Sequence, residues 1–248
     1  MIPISGGKII AGGSRMTKKW MAVGIAVLGL MSSAAGFAAA APAQYVSMAP
    51  AQQYMMASPA KEIALARSAA PVSISRDAEI LVLGAHGYET AVRGKNGFVC
   101  LVERSWDADF NDPVFWDPTI RGADCLNPEA AKSVLPHFRE RAEWALSGLS
   151  KADMIAKTKA EIAANTYVLP GPGAVAFMLS KQQTLAAQPQ HWHPHLMFFV
   201  ANASNATWGA NLAGSPVMTG VSGSDPITTF LVPVGKWSDG TPDAGMHK

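Results

Sequence analysis

The chain has 248 residues, of which 49% are hydrophobic and 15% are charged, and 20 basic against 18 acidic residues give a net charge of +2. Ordinary soluble domains carry roughly 25% charged residues. This chain has an ordinary share of hydrophobic residues and few charged ones, which excludes a disordered chain and a polybasic nucleic-acid binder. Two cysteines are also too few for a disulfide-dense scaffold.

Residues 1–43 have the pattern of an export signal. Lys18 and Lys19 form a basic segment, Trp20–Met31 is apolar, and small residues at 41–43 resemble a cleavage site. The apolar stretch is shorter than the roughly 20 residues that cross a bilayer. We therefore expect a periplasmic or secreted protein with no stable membrane span after signal removal, with a retained N-terminal anchor as the alternative. Residues 1–15 lack this pattern, which predicts that translation begins at Met16.

Removal of the signal reverses the sign of the net charge. The remaining chain keeps 16 basic and 18 acidic residues, which gives a net charge of −2. Such a nearly neutral surface offers no reason to expect nucleic acid as a partner. Within this chain, the composition of residues 44–70 predicts a flexible lead-in, and residues 71–248 are predicted to form a single globular domain.

The first predicted elements are strands. An apolar run at 79–83 predicts a strand, and Asn96-Gly97 between two β-prone runs predicts an antiparallel hairpin of residues 88–93 and 98–102. Three more β-prone segments lie at 174–179, 195–200 and 227–234.

The helices are predicted between these two groups of strands. Asn127-Pro128-Glu129 begins one helix, which Pro136 should break or kink, and Ser150 begins another. This element order predicts an α+β fold: a mainly antiparallel sheet of about five strands, with two or three helices on one face and one disulfide.

The disulfide is predicted between Cys100 and Cys125, because an even pair of cysteines in an exported protein favours an intramolecular bond. It would close the long loop at 105–125, which has no repeat period. The alternative, a thiolate nucleophile or metal ligand, lacks the Cys-x-x-Cys spacing.

A cluster of histidines is the most specific signal in the chain. His191, His193 and His195 alternate, so in an extended segment they share one face and could bind zinc or copper. His86 and Glu89 are candidate further metal ligands or acid–base groups, and Glu89 is also a candidate ligand-binding residue. The alternative is that each histidine is hydrogen-bonded separately at the start of a strand.

Tryptophans near these segments are candidate ligand-binding residues. Trp106 and Trp116 lie in the long loop, and Trp192 lies in the histidine cluster. The alternative is that these rings bury the loop as part of the core. Asp107–Asp112 resembles the start of a calcium loop, but Asp112 and Pro118 replace the glycine and glutamate that such a loop needs, which favours a solvated acidic loop.

Three stretches, at 84–100, 191–199 and 228–240, resemble a family of uncharacterised exported bacterial proteins. The resemblance implies no activity, cofactor or substrate. From the residues themselves, we expect a domain that binds a small molecule or transition metal at His191–His195. The alternatives are a metal-dependent hydrolase or redox enzyme, and a structural or interaction protein without a catalytic site.

Overall fold

One mixed sheet organises this computed structural model, which describes residues 45–185, 192–220, 223 and 226–245. In that part of the chain, eight strands lie in the order β2-β1-β3-β4-β5-β6-β8-β7. The strands are β1 (Glu79–Gly84), β2 (Gly87–Val92), β3 (Val99–Glu103), β4 (Gly122–Leu126), β5 (Val175–Met178), β6 (His195–Ala201), β7 (Met218–Thr219) and β8 (Ile227–Pro233).

The predicted hairpin is wrong in its pairing. Strand β2 pairs with β1 through a turn at residues 85–86, and β3 lies parallel to β1 on its other side. The Asn96 side chain instead donates to the Ile74 carbonyl at 2.8 Å and accepts from the Phe98 amide at 3.1 Å. At Gly94 a Cβ atom would lie 2.2 Å from the Glu79 nitrogen, so this glycine permits the chain to cross close to β1.

Helices cover both faces of the sheet. The helices of the described residues are α1 (Pro59–Arg67), α2 (Val72–Ser75), α3 (Pro128–Ser133), α4 (Leu135–Leu146) and α5 (Lys151–Ala163). On one face, α1 packs with the side chains that include Cys100 and Val102. On the other face, α3, α4 and α5 pack with the side chains that include Leu101 and Leu126. Alternate residues of β3 therefore enter two separate cores.

The predicted fold class is consequently wrong in several respects. The sheet has eight strands and a parallel pair rather than about five mainly antiparallel strands, and five helices occupy both faces. The sequence does not indicate strand β4, because Gly-Ala-Asp-Cys-Leu contains no run of β-branched residues. In the structure all five residues of this strand are buried.

The predicted helix starts agree with the structure. The Asn127 side chain caps α3 by accepting from the Ala130 amide, and Ser150 caps α5 by accepting from the Asp153 amide. Pro136 lies in the first turn of α4, directly after the break that separates α3 from α4. Local capping chemistry thus defines this helical region.

The segment before residue 71 also contributes buried side chains. Tyr54 and Leu65 are buried, and the Tyr54 hydroxyl donates to the Trp116 carbonyl at 2.8 Å. Buried contacts therefore begin before residue 71, where the domain was predicted to begin. The predicted signal peptide, residues 1–43, lies outside the described residues. No helix among the described residues is long and apolar enough to span a membrane.

The predicted disulfide is present between Cys100 of β3 and Cys125 of β4. The two residues are register partners in the antiparallel pair, and both are completely buried. The bond therefore joins strands that the sheet already pairs and closes the long segment between them.

Candidate functional site

A cavity of about 280 Å³ is bordered by α4, by strands β6 and β8, and by the segment that follows β3. Its apolar wall is formed by Val134, Phe138, Met197, Phe199, Ile227 and Leu231. Its charged residues are Glu103, Asp107, Asp109, Asp112, His137 and Arg141. We refer to it as the acid-lined cavity. Alternation along β6 and β8 turns their apolar side chains towards it.

Asp107 is the buried carboxylate of this cavity. It ends the short 3-10 helix Ser105–Asp107 and is only 9% exposed. Its Oδ2 accepts from the Arg104 amide at 2.9 Å and from the Tyr88 hydroxyl at 2.8 Å. Its buried Oδ1 has no hydrogen-bond partner in the described part of the chain. Burial raises the pKa of Asp107 to about 6, although these two hydrogen bonds oppose the shift.

Glu103 and Asp124 form a pair of carboxyl groups beside Asp107. Asp124 is fully buried on β4, directly opposite Leu101, and Glu103 lies two residues further along β3 on the same face. Burial raises the pKa of both groups, well above the usual range for Glu103 and to about 7 for Asp124. The negative charge of Asp124 also raises the pKa of Glu103, because an apolar interior disfavours two neighbouring carboxylates. Burial therefore favours the protonated form of the Glu103 carboxyl group at the cavity.

Two basic residues of α4 reach the same cavity from consecutive turns of the helix. The Arg141 guanidinium donates to the Ala108 carbonyl at 2.7 Å and lies 4.3 Å from the centre of the Phe110 ring. His137 donates through Nε2 to the Val168 carbonyl at 2.8 Å and stacks on Tyr167. These contacts fix the loop after β3 and the segment after α5 against the helix.

The described histidines of the predicted metal cluster have protein partners. His193 Nδ1 contacts the buried carboxylate of Asp243 at 2.5 Å, and His195 Nδ1 donates to the His193 carbonyl at 2.8 Å. Burial lowers the pKa of His195. His191 lies outside the described residues. Within the residues that the structure describes, no three side chains of the histidine, cysteine or acidic type are grouped to hold a metal ion.

The structure does not bring His86 or Glu89 to this cluster. His86 is exposed in the turn between β1 and β2, and Glu89 is exposed on β2. Strand β2 is at one edge of the sheet, five positions from β6, which carries His195. At about 4.8 Å per strand, this separation is roughly 24 Å across the sheet.

The three predicted ligand-binding tryptophans divide between core and cavity. Trp106 and Trp116 are buried in the core. The ring centre of Trp106 lies 4.6 Å from that of Tyr54, and the ring centre of Trp116 lies 4.7 Å from that of Phe115. Trp192 lines the acid-lined cavity, and its indole Nε1 is buried with no hydrogen-bond partner in the described residues.

Sequence reasoning missed Glu103, His137 and Arg141 as site residues. The alternation of Val99, Leu101 and Glu103 in β3 could have indicated that the glutamate faces the core. The four-residue spacing of His137 and Arg141 could likewise have placed both on the buried side of α4.

Comparisons of the chain with protein-family models, with curated proteins and with solved structures found no match.

Proposed function

We propose that this domain binds a small molecule with an apolar body and a hydrogen-bonding head group in the acid-lined cavity. The observation that supports this most directly is the buried, unpartnered Oδ1 of Asp107, a residue that lines a cavity with many apolar side chains. A buried polar atom without a partner is costly, and a ligand can supply the missing hydrogen bond. The unpartnered Nε1 of Trp192 offers a donor to the same ligand.

Small-molecule binding was predicted at the histidine cluster, and the proposed site overlaps that region only at Trp192. Metal binding, with or without hydrolytic or redox chemistry, receives less support because His193 and His195 already have partners and His86 lies at the far edge of the sheet. We further propose that the domain acts in the periplasm or outside the cell. A buried disulfide suits an oxidising compartment, and the N-terminal sequence has the pattern of an export signal.

The test uses 2-phenylethanol, which carries an apolar ring and a hydroxyl group, as the probe. Cavities of about 150 Å³ accommodate benzene, so a phenyl group suits the dimensions of this site. Isothermal titration of the full chain should show saturable binding at one site. Leu231→Trp should abolish it, because the larger side chain fills the cavity from β8.

Leu212→Trp is the matched control, since Leu212 is 62% exposed and does not line this cavity. It should bind the probe as the unmodified chain does. Absence of binding to the unmodified chain, or equal binding by Leu231→Trp, would contradict the proposal.

A further inference from the structure

Charges around the acid-lined cavity are unbalanced. Its lining has four acidic side chains, those of Glu103, Asp107, Asp109 and Asp112, against two basic ones, those of His137 and Arg141. The Arg141 guanidinium already contacts the Ala108 carbonyl and the Phe110 ring, so it holds the loop in place. An excess of negative charge attracts a cation and repels an anionic ligand.

A second feature concerns one atom of Asp107. Its Oδ2 is satisfied by the Arg104 amide and the Tyr88 hydroxyl, whereas Oδ1 is buried and unpartnered in the described residues. A neutral donor would satisfy Oδ1, but an ammonium group would also neutralise the buried carboxylate. Hydrogen bonds between charged groups are about twice as strong as those between neutral groups.

Aromatic rings provide the remaining lining that a cation requires. Phe138, Tyr167, Trp192 and Phe199 all border the cavity. The face of an aromatic ring attracts an ammonium group, most strongly where water is excluded.

From these three features together, we propose that the ligand of the acid-lined cavity is a small organic amine, bound as its ammonium form with the charged nitrogen at Asp107. This inference rests on the proposed function and specifies the ligand class for that site.

Binding should depend on the protonation of Asp107. The ionisable groups that face it are Tyr88 from β2, Glu103 from β3, Arg104 just after β3, Asp124 from β4 and Arg141 from α4. From pH 5 to pH 7, Asp107, with a pKa of about 6, loses its proton, and Asp124, with a pKa of about 7, begins to lose its own, while an aliphatic amine stays protonated. Affinity for the amine should therefore rise with pH in this interval, whereas affinity for a neutral probe should change little.

The experiment compares 2-phenylethylamine, 2-phenylethanol and 3-phenylpropanoate by isothermal titration of the full chain at neutral pH. The amine should bind about tenfold more tightly than the alcohol, and the carboxylate should bind most weakly. In Asp107→Asn, the affinity for the amine should fall about tenfold to that of the alcohol, while the alcohol keeps its affinity. Asp77→Asn, at a half-buried acid outside the cavity, is the matched control.

A second variant avoids the buried site. Asp109→Asn with Asp112→Asn removes charge at two less buried positions while retaining their side-chain oxygens, which accept from the amides of residues 111 and 114. It should weaken amine binding several-fold, and added salt should weaken amine binding to the unmodified chain in the same way. Equal affinities for amine and alcohol would overturn the inference while leaving the proposed function intact. Failure of every probe to bind would instead contradict the proposed function.

Discussion

Glu62 of α1 and Arg104, the residue after β3, form a buried ion pair with a nitrogen–oxygen distance of 2.8 Å and side chains that are 4% and 0% exposed. The same Glu62 oxygen accepts from the Leu83 amide, and Arg104 Nε donates to the Tyr54 carbonyl. This pair therefore joins the segment before residue 71 to strands β1 and β3. Arg104 also donates its backbone amide to Asp107, which connects the ion pair to the acid-lined cavity.

Glu62→Ala should destabilise the fold by about 3–5 kcal/mol, because it leaves the Arg104 guanidinium buried without its charged partner. Urea denaturation followed by circular dichroism measures this loss. Lys95→Ala is the control, since Lys95 belongs to an exposed pair with Asp77 and should change stability by less than about 1 kcal/mol. Equal effects of the two substitutions would contradict the importance of the buried pair.

The disulfide should contribute to stability by restricting the unfolded chain. Its cysteines are 25 residues apart, and closure of a loop of this size contributes about 3 kcal/mol by the chain-entropy argument. A variant with Cys100→Ala and Cys125→Ala should unfold at a lower urea concentration. A reductant should lower the unfolding midpoint of the unmodified chain to the same urea concentration. Detection of two free thiols in natively exported protein would refute the bond.

Stability should fall as the pH rises from about 4 to about 7. Burial raises the pKa of Asp107 from 3.8 to about 6, so the folded state binds more protons than the unfolded state in this interval. The contribution of Asp107 is about 3 kcal/mol. This contribution is fully present below the pKa of Asp107 in the unfolded chain and is lost as the pH rises through its pKa in the folded protein. Asp107→Asn should reduce the slope of the profile measured by urea denaturation, and the slope that remains comes from Glu103 and Asp124, whose pKa values are also raised. An unchanged slope would contradict the role of Asp107.

His193 should act as a structural residue. Because its Nδ1 contacts the buried Asp243, His193→Ala should loosen the C-terminal segment and increase its cleavage by a nonspecific protease. Stoichiometric zinc or copper should leave the thermal unfolding midpoint of the unmodified chain unchanged. A metal-dependent increase that disappears in His193→Ala would instead favour the metal site predicted from the sequence.

Elements defined by local chemistry could be predicted from the sequence. The caps at Asn127 and Ser150 act within three residues of their own positions, and the pairing of Cys100 with Cys125 required no knowledge of the sheet. The pairing of β2 could not be predicted reliably, because the Asn96-Gly97 signal competes with a contact between Asn96 and the distant Ile74. Long-range contacts decided that register.

The candidate site was harder to predict, because its residues are brought together by packing. The sequence indicates Trp192 as a candidate ligand-binding residue and places Asp107 in an acidic loop. The structure places both at a cavity with Arg141 of α4, which is distant in sequence. An acidic loop is expected to be solvated, but Asp107 is buried and its carboxylate accepts from the Arg104 amide and the Tyr88 hydroxyl.

The indole N–H of Trp192 provides the most direct test of ligand binding in the acid-lined cavity. A ¹H–¹⁵N correlation spectrum of the full chain resolves the indole signals, and Trp192→Phe identifies the signal of interest. Titration with 2-phenylethanol should shift the Trp192 signal saturably, while the signals of buried Trp106 and of Trp208, which is 36% exposed, stay in place. A Trp192 signal that does not move, or equal shifts of all three signals, would contradict the account.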